Sequence, residues 1–347
     1  MTKPKIAVVV GNGFSISFDR YSKLSFQYDS QSPLNWPIEC PSTKNLFLDS
    51  LPHLRRFIDE NKEFNDFDTF KKINDLRHSS SHAELNKALL EARHYLTLAF
   101  SEYTLQQKAL LKSHETWPWY QWLSVHRDEI SCLVSFNYDI LLESVFDKLN
   151  RSFFSLETNN HGWGVPLIKP HGSVDFEMAP NCIVGLTPSY PMNNFIDEND
   201  TPIIRIGDHD LVKPRLQAHC IIPNEDNKYL NYQWVKPAYD VAKERLKECT
   251  HLVIIGHSYA DSDQLEINEI LNSTNKNAEI IIANPNPPEK LIDYLKERPT
   301  IKWRNNGGPV DDMGKLLLLK NLKTNRMLTK CLCRSGKSYV YCHGKNK

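Results

Sequence analysis

The 347-residue sequence has no apolar run near the roughly 20 residues that a bilayer-spanning helix requires; Ile6–Val10 and Leu252–Ile255 are typical of its longest. Its first residues, MTKPKIAVVVGNGF, start with charge but pass at once into a strand-like run and glycines. They lack the apolar helix and small-residue cleavage site of a secretory signal. An integral membrane protein is therefore excluded, and a cytoplasmic location is expected. Internal repeats and low-complexity segments are also missing. So is a disulfide framework: of eight cysteines, those at 40, 132, 182, 220 and 249 stand singly, and those at 331, 333 and 342 crowd the C-terminal end. A reducing compartment is the natural reading. Net charge is zero, from 42 basic and 42 acidic residues, but acidic residues are absent from Met313 to Lys347, which holds nine basic ones. A basic tail on an acidic body points to an anionic partner.

The remaining composition, 40% hydrophobic and 24% charged, is ordinarily globular. The length allows about two domains, or one large domain with an appendage. Short apolar runs recur at Lys5–Val10, Ile130–Phe136, Pro166–Lys169, His251–Ile255, Glu279–Ala283 and Ile301–Trp303. Such runs suit strands of a parallel sheet covered on both faces. Amphipathic stretches alternate with them at Ile140–Leu149, Tyr232–Cys249, Gln264–Leu271 and Glu289–Lys296. This alternation predicts a doubly wound parallel α/β sheet. Residues 14–40, rich in Ser, aromatics and Pro, read as a long loop. Residues 42–128 read as a helical insertion, with apolar spacing at Phe47, Leu51, Leu54 and Ile58 and a break at Pro52. Within it, Trp117, Trp119, Tyr120 and Trp122 read as core packing. Residues 178–230 are irregular, suiting a small lobe or lid.

In doubly wound folds ligands bind beyond the carboxyl ends of the strands. The candidate site residues fall there: Gly11, Asn12, Gly13 and Ser15 after one strand, Asn137 and Asp139 after a second, His171 after a third, Gly256 and Ser258 after a fourth, and Asn284 after a fifth. Glycines in a strand-to-helix turn let backbone N–H groups approach a pyrophosphate. The third glycine of a dinucleotide fingerprint is missing, since position 16 is Ile. An acidic ribose contact downstream is missing too, so an ordinary hydride-transferring dehydrogenase fits poorly. Local alternatives stand beside these readings. Asn137 suits the cap of the following helix, His171 suits a loop histidine, and Asp261 and Asp263 suit capping of the helix from Gln264. A second His-Gly, His161-Gly162, follows polar residues rather than a strand and is set aside in favour of His171.

Taken in order, GNGFS (11–15), SFNYD (135–139), KPHGS (169–173), GHS (256–258) and ANP (283–285) resemble the sirtuin motifs, and most nearly the bacterial sirtuin-like domains that consume NAD+ in phage defence. The resemblance spans residues 5 to about 290, without the helical insertion or residues 178–230. It implies a Rossmann-like, sirtuin-like domain over 1–310, with the insertion at about 42–128. It implies cleavage of the nicotinamide–ribose bond of NAD+. Asn137 would orient ribose and water, His171 would act as base, and Asp139 would orient the loop or the nicotinamide end. Gly11, Gly13 and Ser15 would meet the pyrophosphate with Gly256 and Ser258 nearby, and Asn284 would contact the adenosine ribose. One departure is plain. Sirtuin deacylases carry two C-x-x-C zinc pairs between the H-G and G-x-S motifs, whereas this interval holds only Cys182, Cys220 and Cys249. Deacylation is therefore not expected, and NAD+ hydrolysis is.

At the C-terminal end, Cys331-x-Cys333-x8-Cys342-His343 supplies three thiolates and an imidazole, a closed tetrahedral set for structural Zn2+. The stretch 331–344 resembles the small zinc motif that ends the preprotein translocase ATPase (SEC-C type). A basic linker helix is expected over 311–330 and a zinc knuckle over 331–347. The knuckle's basic surface suits nucleic acid, a ribosome or a protein trigger. Two other readings compete with the hydrolase: a non-catalytic NAD+ or ADP-ribose sensor, and an adaptor docking to nucleic acid or ribosome through the basic tail. No membrane partner is expected, and a homo-oligomer stays open.

Overall fold

The computed structural model describes residues 4–319, apart from 27, 30–31, 80–82, 159–161, 181–186, 191–201, 223–233, 304, 306 and 312. In chain order the elements are β1 (Ile6–Val10), α1 (Asn12–Ser22), α2 (Pro52–Glu60), α3 (Asp66–Ser79), α4 (Ala83–Leu111), α5 (Pro118–His126), β2 (Ile130–Ser135), α6 (Leu141–Lys148), β3 (Phe153–Ser155), β4 (Val165–Ile168), β5 (Phe176–Met178), β6 (Ile203–Arg205), α7 (Val235–Lys247), β7 (His251–Ile255), α8 (Gln264–Ser273), β8 (Glu279–Ala283), α9 (Glu289–Tyr294) and β9 (Thr300–Trp303). Seven strands form one sheet in the order β3-β4-β2-β1-β7-β8-β9. Every neighbouring pair is parallel. The doubly wound sheet expected from the apolar runs is therefore the fold. β5 and β6 form a separate antiparallel pair.

Burial explains why these strands lack an alternating pattern. All five residues of β1 are fully buried. Ile6, Val8 and Val10 face the core built with α1, α5 and α6, while Ala7 and Val9 face the core built with α7 and α8. Each fully buried Val or Ile contributes about 1.5–3 kcal/mol, so one face alone would waste half of the strand. The order reverses at β1, which has β2 on one side and β7 on the other. That is the switch point where the loops after two strands part and leave a crevice.

The insertion forms α2–α5, and Pro52 occupies the first turn of α2 rather than an interior position. α4 carries Leu89, Ala92, Leu96 and Ala99 into a third core, with Tyr28, Trp36, Phe100 and Tyr103 packed edge to face or tilted. Trp117 and Trp122 are core residues, as expected. Two local expectations fail. Residues 14–40 are not one loop, because α1 runs to Ser22 and buries Phe14 and Phe18, one turn apart, against Trp117. The described part of the expected linker helix is not helical over 313–318: Val310 bridges to Leu316, and Leu317 and Leu319 pack on the sheet core. The rest of that segment, and the whole zinc knuckle, lie outside the described residues.

Candidate active site

A cleft of about 910 Å³ opens at the carboxyl ends of the strands, across the switch point. Its floor carries Gly11, Asn12 and Gly13 after β1, Asn137 and Asp139 after β2, His171 after β4, Gly256 and Ser258 after β7, and Asn284 after β8. The sequence places these residues on five loops, and the sheet brings them to one crevice. Ser15 is the exception: it is fully buried beneath the cleft instead of lining it.

The glycines answer to packing between loops. A Cβ on Gly13 would lie 2.5 Å from the Gly256 Cα, and one on Gly11 would lie 2.8 Å from the His257 Cα. The Gly13 N–H donates to the Gly256 carbonyl at 2.9 Å, and the Gly11 N–H to the Ile255 carbonyl at 2.9 Å. The β1 and β7 loops thus touch backbone to backbone. This sets the N-terminus of α1 against the cleft, where helix geometry favours an anion. Arg20, further along α1, is exposed and also lines the cleft.

Beneath the floor lies a buried polar network. The Ser15 hydroxyl donates to Asp139 Oδ2 at 2.8 Å and accepts from Asn137 Nδ2 at 3.1 Å. Asp139 Oδ1 accepts from the Leu141 N–H at 3.0 Å. Asn137 therefore does not cap α6; Asp139 serves that end, and both of its oxygens are engaged. These bonds tie the Asp139 side chain to α1 and to the start of α6. Burial holds its carboxyl above the usual carboxylate range, against the lowering effects of Lys169 and its hydrogen bonds. With Nδ2 bound to Ser15, the Asn137 amide turns its oxygen away from that bond. Lys169, fully buried, donates to the Asp139 carbonyl at 2.7 Å and to Glu143 at 2.8 Å. It ties the β2 loop to the β4 loop two residues before His171. The KPHGS motif contained this lysine, but its charge could be assigned no partner from sequence.

His171 is followed by a left-handed glycine. Gly172 has φ +74°, and a Cβ there would lie 1.7 Å from the His219 carbonyl oxygen. The His171 ring meets the Phe136 ring edge to face at 5.2 Å, and His257 meets Phe136 in the same way at 4.6 Å. Asp263 lies between the two imidazoles, its Oδ1 3.8 Å from His171 Nε2 and its Oδ2 3.8 Å from His257 Nε2. Asp263 occupies the cap position of α8 but makes no side-chain capping bond, so the capping role read from sequence fails for it. Asp261 instead bonds Gln264 and Lys290. His257 and Asp263 are the residues that sequence reasoning missed. Asn284 donates to the His257 carbonyl at 3.2 Å and accepts from the Asn286 N–H at 2.9 Å, so it braces the cleft wall.

Cys331, Cys333, Cys342 and His343 lie outside the described residues, as do His161 and Cys182. Among the described residues no cluster of His, Cys, Asp or Glu has the makings of a metal site, and no helix is long and apolar enough to cross a membrane.

No family model matches the chain, and no curated protein matches it. Solved structures similar to it include a Sir2 homologue in complex with NAD (11% identity, TM-score 0.38, covering 88% of this chain and 85% of that one). They also include Sir2Tm bound to a propionylated peptide (10%, 0.38, 88% and 89%), and a point mutant of a Sir2 homologue in complex with ADP-ribose (12%, 0.37, 88% and 88%). These are likenesses of outline at low identity, and the functional reading rests on the residues of the cleft.

Proposed function

We propose that the chain is an NAD+ glycohydrolase, in which the nicotinamide–ribose bond is cleaved and water is the acceptor. The observation that carries this reading is the meeting of Asn137 and His171, from the loops of adjacent strands β2 and β4, beside a helix N-terminus in one crevice. The diphosphate of NAD+ takes the α1 N-terminus, where backbone dipoles favour it. Asn137 accepts a hydrogen bond from a ribose hydroxyl or the attacking water. As the C1′–N bond breaks, its electron pair leaves with nicotinamide and positive charge builds on the ribose, as in glycoside cleavage. The water oxygen bonds to C1′ and its proton passes to the His171 imidazole, the general base. The products are nicotinamide, ADP-ribose and one proton.

The same reading makes the protein an effector of phage defence, held inactive until triggered, because free NAD+ hydrolysis would poison its own cell. The C-terminal Cys3His set suits structural Zn2+, which would supply folding energy to a segment too short for a core of its own. The basic surface around it is the proposed contact for an anionic trigger in the cytoplasm.

Nicotinamide release from NAD+ by the purified protein tests the reading, beside His171→Ala and Asn137→Ala. Release by the wild type that both variants lose upholds it. Release unchanged in both overturns the site. An inert wild type that binds NAD+ in calorimetry is a silent enzyme or a sensor, and one that neither binds nor turns over NAD+ selects the adaptor.

A further inference from the structure

We infer that Asp263 is a positioning residue shared by two imidazoles, holding His171 as the base and His257 as its brace. This deepens the hydrolase reading and rests on it for its kinetic arm. Three independent features of the cleft wall lead to it. First, the two oxygens of one carboxylate each lie 3.8 Å from the Nε2 of a different ring, and the Ser262 hydroxyl, donating to Oδ1 at 2.7 Å, holds the carboxylate in that orientation. Second, the His257 tautomer is fixed by its surroundings: Nδ1 accepts the Tyr259 N–H at 2.9 Å, so the ring proton sits on Nε2 and faces Asp263. That Nε2 is buried and has no hydrogen-bond partner, and Asp263 Oδ2, 3.8 Å away, is the carboxylate oxygen that faces it. Third, Tyr259 supplies its N–H from a left-handed backbone, φ +54°, a conformation that a bulky residue adopts only when its neighbours impose it. Strain, tautomer and carboxylate are thus arranged around one aim.

The chemistry follows. Phe136 stands edge-on to both rings and fixes their planes. Asp263 fixes the rotation that remains and faces the positive charge that appears on His171 when it takes the proton from water. His257, which burial holds neutral, contributes a proton donor without adding a second charge. A carboxylate in this place acts on the proton-transfer step and little on NAD+ binding, since it touches the imidazoles rather than the dinucleotide.

Asp263→Asn is therefore expected to lower kcat about 10- to 100-fold while KM changes less than about threefold, the size of losing one charged hydrogen-bonding partner. Asp263→Glu should recover part of the loss, and added formate should restore activity to Asp263→Ala but not to His171→Ala. Equal loss in Asn and Glu variants with no formate response, in protein that still melts cooperatively and binds NAD+, overturns the proposal. Histidine-labelled NMR gives a second test that needs no turnover, with His171→Gln and His257→Gln supplying assignments. In Asp263→Asn both imidazoles should shift; unchanged ring signals overturn the shared carboxylate. Should the untriggered wild type release no nicotinamide, the kinetic arm is silent and the spectra decide Asp263.

Discussion

Replacing Ser15 by Ala tests the network that aims Asn137. The hydroxyl is fully buried and serves two partners, Asp139 at 2.8 Å and Asn137 at 3.1 Å. Without it, a carboxylate oxygen and an amide N–H stay buried with one partner fewer. Each such loss costs about 1–3 kcal/mol, so the pair sums to about 2–6 kcal/mol of stability. The cavity left by one oxygen adds little. Ser17, two residues along the same helix, offers an internal control: its hydroxyl only accepts from the Trp117 indole at 3.3 Å, and Ser17→Ala should cost about 0.5–1 kcal/mol. Urea unfolding at neutral pH measures both. Turnover of NAD+ at a temperature where Ser15→Ala stays folded reads the second consequence. An amide freed from its anchor samples both orientations, so kcat should fall roughly two- to tenfold with Asn137 still present. A Ser15→Ala protein within about 0.5 kcal/mol of the wild type, and no less stable than Ser17→Ala, would refute the argument.

Gly172→Ala should destabilise the fold by about 1–3 kcal/mol or more and abolish activity, because neither φ +74° nor the His219 carbonyl leaves room for a Cβ; thermal melting and nicotinamide release read the two effects. Burial raises the Asp19 carboxyl from its ordinary 3.8 to about 7, opposed by its bonds from Tyr103 and Gln107. The folded state therefore holds this proton more tightly, and the stability it brings is full below about pH 4 and lost as pH rises to about 7. Asp19→Asn escapes that loss, so its gain over the wild type at pH 8 should exceed its gain at pH 5.5 by about 2 kcal/mol in urea melts; equal gains would contradict it. Metal analysis should find one zinc per chain, lost from Cys331→Ser and Cys342→Ser while the α/β domain still melts cooperatively. A full zinc complement in both variants would remove the knuckle.

The sheet was legible because strands buried on both faces leave short apolar runs, each bounded by polar or turn residues. β7 and β8 were readable to the residue for this reason. β3 was not, because three residues with two half-buried carry no such run. α1 hid behind weak helix formers; its signal was the single spacing of Phe14 and Phe18, too short to count as periodicity. Asn137 and His171 were legible as polar residues at strand ends, whose meaning comes from position in a parallel sheet. Asp263 was not legible. In D-S-D-Q ahead of a helix the local pattern favours a cap, and only the tertiary fold reveals that the carboxylate lies within 3.8 Å of the imidazoles of both His257 and the distant His171. Ser15 was assigned to the pyrophosphate by its motif, yet the helix it sits on turns it inward, away from the cleft.

The insertion bears on the choice of acceptor. β1 and β2 are parallel neighbours, so the chain must cross over one face between them, and a single helix is enough for that. Here α1 ends at Lys23 in a left-handed conformation, φ 66°, and the chain builds α2–α4 before α5 returns it. Asn65, Phe67, Asp68 and Phe100 of that insertion stand along the cleft. Phe100 packs against Tyr138, the residue between Asn137 and Asp139, at 5.4 Å. The insertion thus forms a wall beside the reacting end of the site, and Tyr138 is buried in the insertion's core. A wall built from bulky aromatic side chains narrows the approach on that side. For the proposed hydrolase, such a wall suits water as acceptor better than a macromolecular side chain.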